Sequence, residues 1–251
     1  MDRAEIDNVF GDTAPDVPRF PKIWGSLGWI ILYFVLQIIC TIVAAIVVAS
    51  ANGGGSDASA MTKAITDNPI PLIWAIIVSG GLTVALLGWR LSRDGRAAQI
   101  GLTHFGRLPL LQALGLAVLV IAVSFGFNWL YQTYVIPGID MQKEITELLK
   151  KIPRTPVNIA LGFTAVAVIA PLVEELLFRG YLQTALAHRV PPLAAVALSA
   201  LAFAAVHMQL YATPALWVLG FAFGYLYYKT GSLRFNIVLH MLNNGLALAL
   251  S

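Results

Sequence analysis

The chain has 251 residues, 58% hydrophobic and 12% charged, with a net charge of +3 and a mean hydropathy of +0.77. Ordinary soluble domains carry about 25% charged residues, so the composition excludes that class and indicates an integral membrane protein. The modest cationic excess argues against nucleic-acid binding, and a single cysteine, Cys40, excludes an intrachain disulfide.

Residues 1–23 hold five acids, three bases and three prolines, the composition of a disordered tail. Seven apolar segments follow, at 24–49, 69–89, 109–135, 157–188, 192–210, 212–228 and 232–250. About 20 apolar residues span a hydrocarbon core about 30 Å thick. The expected fold is therefore all-α, a polytopic transmembrane helical bundle of about seven membrane helices. Ala49-Ser50-Ala51 looks like a cleavage site, but the preceding apolar run is about twice the length of a signal-peptide core. A retained first helix is expected.

Between the apolar segments, residues 50–68 contain Gly53-Gly54-Gly55-Ser56 and read as a flexible loop. Residues 90–108 carry Arg90, Arg93, Arg96 and Arg107. In 136–156, apolar positions 141, 145, 148, 149 and 152 fit a short helix lying at the interface or in a solvated loop. Counting Lys and Arg in alternating connections gives ten on the N-terminal side and five opposite, which predicts a cytosolic N-terminus in a multi-pass protein of the cell membrane. Three regions are expected: a polar tail at 1–23, a transmembrane scaffold with loops at 24–156, and a catalytic transmembrane core at 157–251.

Ionisable residues are nearly absent from the apolar segments until Glu174-Glu175-Leu176-Leu177-Phe178-Arg179. A charge at the bilayer centre costs roughly 2.5–3.5 kcal/mol on insertion scales, so intramembrane charge points to function. On a helix Glu175 and Arg179 share a face and can pair, whereas Glu174 points about 100° away. Pro171 frees the carbonyl of Ala167, and a kink or local unwinding is expected just before the acids. His207 ends the run Phe203-Ala204-Ala205-Val206-His207, and His240 lies four residues before Asn244, with Asn243 reaching a similar place. Each element has a structural alternative: an ion pair joining helices, a packed histidine, a polar patch binding helices together. As a set, a carboxylate, two imidazoles and an amide have the chemistry to activate water and to stabilise an oxyanion. The G-x-x-x-G of Gly220 and Gly224 suggests close helix packing.

The ordered motifs Glu174-Glu175…Arg179, Phe203…His207 and His240…Asn244 resemble the CPBP family, the CAAX-protease and bacteriocin-processing intramembrane peptidases that include the type II CAAX prenyl proteases. The likeness covers about residues 157–250. It implies that Glu174 is the general base, that His207 positions the water, that His240 and Asn244 serve the oxyanion, and that Glu175 and Arg179 support the site. It also implies a membrane-associated peptide or protein substrate, in some relatives a prenylated one, and a lipid environment. No cofactor is required in the favoured glutamate-dependent mechanism. The alternative is a metallopeptidase holding a divalent metal such as zinc on Glu174, His207 and His240. Two other classes stand against the peptidase: a non-catalytic membrane scaffold or binding protein of the same fold, and an ion-coupled transporter, for which no inverted repeat is visible. H-E-x-x-H, G-x-G-D and G-x-S-G signatures are missing.

Overall fold

The computed structural model describes residues 20–53, 57–139, 146–147 and 150–250. Helix accounts for 80% of it, and the described residues contain no strand. Nine helices are labelled here: α1 (Ile23–Ala51), α2 (Ala58–Asp67), α3 (Ile70–Leu91), α4 (Arg96–Gln99), α5 (Leu110–Tyr134), α6 (Pro156–Ala187), α7 (Pro192–Val206), α8 (Thr213–Thr230) and α9 (Leu233–Leu250).

Each apolar segment of the sequence is one of these helices. Four helices, α1, α3, α5 and α6, are long and apolar enough to cross a membrane, and α7 is a shorter apolar helix of 15 residues. Helices α8 and α9 have 18 residues each and mix polar side chains such as Lys229, Asn236 and Asn243 into their apolar sequence. The expected count of seven spans is thus met by four helices on length and composition. On α1, Ile31, Ile38, Ile39 and Val47 are exposed, as are Leu111 and Val118 on α5. Such faces suit hydrocarbon, where lipid tails are as apolar as leucine and exposure carries no penalty.

Two connections are ordered by specific hydrogen bonds. The segment read as a flexible loop contains α2, because Asp57 caps it by accepting from the backbone N–H groups of Ser59 and Ala60, both at 3.1 Å. The segment after α4 is fixed to the α8–α9 junction. Leu233 donates its N–H to Gly101 O at 2.9 Å, Ser232 Oγ donates to His104 O at 2.8 Å, and Arg107 donates its N–H to Thr230 O at 3.0 Å. Gly231 ends α8 in the left-handed region (φ +64°), donating to Tyr227 O. Gly101 is also left-handed (φ +65°), and a Cβ there would strike the Gly231 carbonyl. The helix expected over 141–152 lies largely outside the described residues, as does the tail before residue 20.

The chain divides into two compact units: Met1–Gly28, Trp89–Met141 and Glu174–His240 in the first, and Trp29–Gly88, Gln142–Val173 and Met241–Ser251 in the second. In the first, α5 packs on α8 through Val120, Ala222, Phe223 and Leu226. Helix α7 meets α8 at Gly220, where a Cβ would lie 3.2 Å from the Ala200 backbone and 3.1 Å from the Phe203 ring. The glycine pair thus does serve close packing. In the second unit, Ile73 of α3 packs with Ile152 and with Ala165 of α6, and Gly80 leaves room for the side chain of Ile169.

Helix α6 carries the acidic pair, and its winding changes along its length. It is π-helical over Thr164–Ile169, α-helical over Ala170–Glu174 and π-helical again over Glu175–Gln183. Pro171 has no N–H with which to close a turn on Ala167, and the wider turn lets N–H groups reach one residue further back. Ala170 donates to Ala165 O, and Thr184 to Arg179 O. The expected local unwinding is therefore two π-helical stretches flanking the proline, the second beginning at Glu175.

Candidate functional site

Within the first unit, the second half of α6 brings its charged residues against α8 and the start of α9. Glu175 is fully buried, and its Oε1 lies 3.1 Å from Arg179 Nη1. The i,i+4 pairing read from the sequence holds in the wider π-helical turn. Arg179, 1% exposed, also donates from Nη2 to the Gly220 carbonyl at 3.1 Å. Its guanidinium lies over the ring of Phe203 at 4.8 Å and that of Phe223 at 5.9 Å. One turn on, Gln183 donates to the Gly224 carbonyl at 2.9 Å. Two side chains spaced by four on α6 thus bind two carbonyls spaced by four on α8. A Cβ at Gly224 would come within 2.7 Å of Gln183 Oε1, so the glycine spacing is what admits this ladder.

His240 on α9 enters the same cluster. Its Nδ1 lies 2.8 Å from Glu175 Oε1, its Nε2 3.7 Å from Glu174 Oε2, and its ring rests on Phe223 with centroids 4.7 Å apart. His240 is 2% exposed, whereas the Glu174 side chain keeps 21% of its surface open. The adjacent acids therefore differ: Glu175 is enclosed and charge-paired, and Glu174 faces one imidazole nitrogen with access to its surroundings.

Asn236, one turn before His240, is a member of the cluster that the sequence reading missed. It is fully buried and donates to Glu175 Oε2 and to the Phe223 carbonyl, both at 2.9 Å. The N-x-x-x-H spacing that places it on the face of His240 is visible in the sequence, but nothing there marks its partners.

His207 and Asn244 are placed differently. His207 caps α7; its Nδ1 lies 2.7 Å from Phe203 O and its ring lies against that of Phe203, centroids 4.7 Å apart and planes tilted by 60°. Phe203 meets Phe178 edge to face and lies under the Arg179 guanidinium, so His207 is tied to the cluster through this ring. Among the described residues no ion pair or hydrogen bond joins His207 to Glu174, Glu175 or His240. Asn244 belongs to the second unit, where it donates to the Val166 carbonyl at 3.1 Å. Val166 lies within the first π-helical stretch. Asn243 is buried and contacts Asn244 Oδ1 at 3.4 Å.

Among the described residues no group of three or more His, Cys, Asp or Glu side chains is placed to hold a metal ion. His240 Nδ1 is committed to Glu175, and His207 engages its own helix.

The fold and this cluster define a helical membrane protein with a carboxylate–imidazole–guanidinium network buried among its C-terminal helices. Residues 156–246, from the start of α6 into α9, match the family model described as Rce1-like, type II CAAX prenyl endopeptidase. All the motif residues from Glu174 to Asn244 fall inside the match. The family points to an intramembrane protease of CAAX type acting in a lipid environment. No curated protein and no solved structure gives a significant match to the chain.

Proposed function

We propose that the chain is an intramembrane endopeptidase that hydrolyses a peptide bond of a membrane-associated substrate with water activated by Glu174. The observation that carries this reading is the asymmetry of the paired acids. Glu175 has both oxygens engaged by Arg179, His240 and Asn236, whereas Glu174 retains accessible surface and, among the described residues, faces His240 Nε2. A general base must be able to reach water, and the open carboxylate meets that requirement.

In the proposed reaction Glu174 takes a proton from water as the oxygen attacks the scissile carbonyl carbon. The resulting tetrahedral oxyanion is stabilised by hydrogen-bond donors assigned, through the family resemblance, to His240 and Asn244, and His207 positions the water. Collapse breaks the C–N bond, the nitrogen receives the proton, and a carboxylate and an amine leave. Glu175 and Arg179 are positioning residues that hold His240. No step runs through a metal, and no cofactor is required. Residues 157–251 supply this chemistry, and 24–156 form the membrane scaffold. The matched family supports a substrate whose peptide bond follows a prenylated cysteine, delivered from the bilayer across the apolar exterior. The lysine and arginine distribution supports a cytosolic N-terminus in the cell membrane.

The test is cleavage of a prenylated CAAX peptide, beside its unprenylated counterpart, by purified protein in bilayer discs. Glu174→Ala and His207→Ala are expected to abolish turnover while the wild type survives exhaustive chelation. Undiminished turnover in either variant refutes the role assigned to that residue.

A further inference from the structure

We infer that Asn236 is a positioning residue that fixes which nitrogen of His240 carries the proton, by linking the Glu175 carboxylate to the backbone of α8. The Phe223 carbonyl can only accept, so the Asn236 atom 2.9 Å from it must be the amide nitrogen. That nitrogen carries two protons, and the second is directed to Glu175 Oε2, also at 2.9 Å. A flipped amide would set an oxygen against two acceptors, which excludes it. Glu175 Oε2 is therefore an acceptor.

The other carboxylate oxygen, Oε1, has a guanidinium nitrogen 3.1 Å away and His240 Nδ1 at 2.8 Å. A cation at that distance opposes a proton on Oε1. The short contact to His240 then requires Nδ1 to be the donor. His240 therefore bears hydrogen on Nδ1, and in its neutral form Nε2 presents its lone pair towards Glu174 Oε2, 3.7 Å away.

This constrains the site chemistry. A neutral His240 faces Glu174 as an acceptor, so it donates to an oxyanion only after Nε2 gains a proton. Glu174, which takes a proton from water in the proposed reaction, is the neighbouring group from which it would come, and on collapse the same proton passes from Nε2 to the departing nitrogen. Asn236 thus acts through Glu175 and His240 without touching the reacting atoms. Its kinetic consequence rests on the peptidase reading, whereas the tautomer assignment does not.

The experiment uses the full chain in bilayer discs with 15N-labelled histidine. There are four histidines, and the His240 resonances are assigned by their loss in His240→Gln. The wild type is expected to show a protonated Nδ1 at His240, and an unprotonated Nδ1 beside a protonated Nε2 overturns the inference. In Asn236→Ala the Nδ1-protonated population should fall, and kcat should drop roughly tenfold to a hundredfold, the usual cost of losing an outer partner of a working imidazole, with KM changing less. An unchanged spectrum with kcat within about twofold of wild type also overturns it. Should Asn236→Ala fail to fold, Asn236→Ser keeps one donor and takes its place, and the wild-type spectrum alone still decides the tautomer. A wild type that shows the Nδ1-protonated spectrum but cleaves no peptide refutes the peptidase reading and leaves the assignment standing.

Discussion

The N-terminal membrane helices and the matched segment differ in how far their buried polar side chains reach. In α1, α3 and α5 buried serine and threonine hydroxyls bond to carbonyls one turn back: Ser26 to Lys22 O, Thr83 to Ser79 O and Ser124 to Val120 O. In α6 to α9 several buried polar groups reach across the fold, beside others, such as Thr230 on Leu226 O, that bond within their own helix. Arg179 and Gln183 bond to carbonyls 41 residues on, Asn236 bonds to Glu175 61 residues away, and Ser199 donates to Phe178 O. A hydroxyl bonded within its helix is satisfied wherever that helix sits, so it specifies nothing about neighbours. A side chain satisfied only by another helix fixes the position of both. The N-terminal helices are thus compatible with a lipid-facing scaffold, and the matched segment is a cross-linked polar core that holds one carboxylate open.

The sharpest way to break this contrast is to remove one partner from the cross-linked core. Arg179→Ala leaves the enclosed Glu175 charge without its cation, and deleting one side of a buried pair costs about 3–5 kcal/mol. Thermal unfolding in detergent should show that loss. A variant as stable as wild type would mean that the ion pair holds nothing together. Next in size is Gly224→Ala, whose new Cβ approaches Gln183 Oε1 at 2.7 Å. Overpacking of this kind costs about 1–3 kcal/mol, and the addition of Gln183→Ala should recover part of it. Ser124→Ala on α5, which removes a bond internal to one helix, should stay within about 0.5 kcal/mol of wild type. A cost comparable to that of Arg179→Ala would erase the distinction between the two regions.

The smallest effect concerns the connection that carries His104, outside the membrane-spanning segments. Partial burial, and then the Arg107 and Arg234 charges, hold its imidazole below the usual histidine range. The neutral Nδ1 accepts from the Gly106 N–H at 3.2 Å. Because the folded value lies below the unfolded one, the contribution of His104 to stability is present above the unfolded pKa and is lost as pH falls through the folded one. Arg234→Gln should move the titration of His104 upward in an NMR pH series. No movement would show that the arginine charge does not reach the ring.

Much of the fold was legible because hydropathy reports where helices run. The apolar segments end within a few residues of the helix termini, and Pro171 signalled the altered winding of α6. What hydropathy could not give was lateral contact. Asn236 could be seen to share a face with His240, but its partners, Glu175 and the Phe223 carbonyl, are distant in sequence. The pairing of Glu175 with Arg179 was readable because it is local, and the linkage of His240 to Glu175 was not. Helix α2 was missed because its sequence follows a glycine run and is only weakly apolar, so its Asp57 cap was overlooked. The docking of residues 101–107 on the α8–α9 junction is made by backbone groups and one serine, which leave no pattern in side-chain chemistry.

The central claim is that two neighbouring carboxylates have separate tasks, Glu175 holding the core and Glu174 working on water. The most direct measurement compares Glu174→Gln with Glu175→Gln, recording melting temperature and cleavage of the prenylated peptide on the same preparations. The account predicts that Glu174→Gln melts close to wild type and loses turnover by at least about a hundredfold, the scale of general-base catalysis. It predicts that Glu175→Gln melts well below wild type. Wild-type turnover by Glu174→Gln would contradict it.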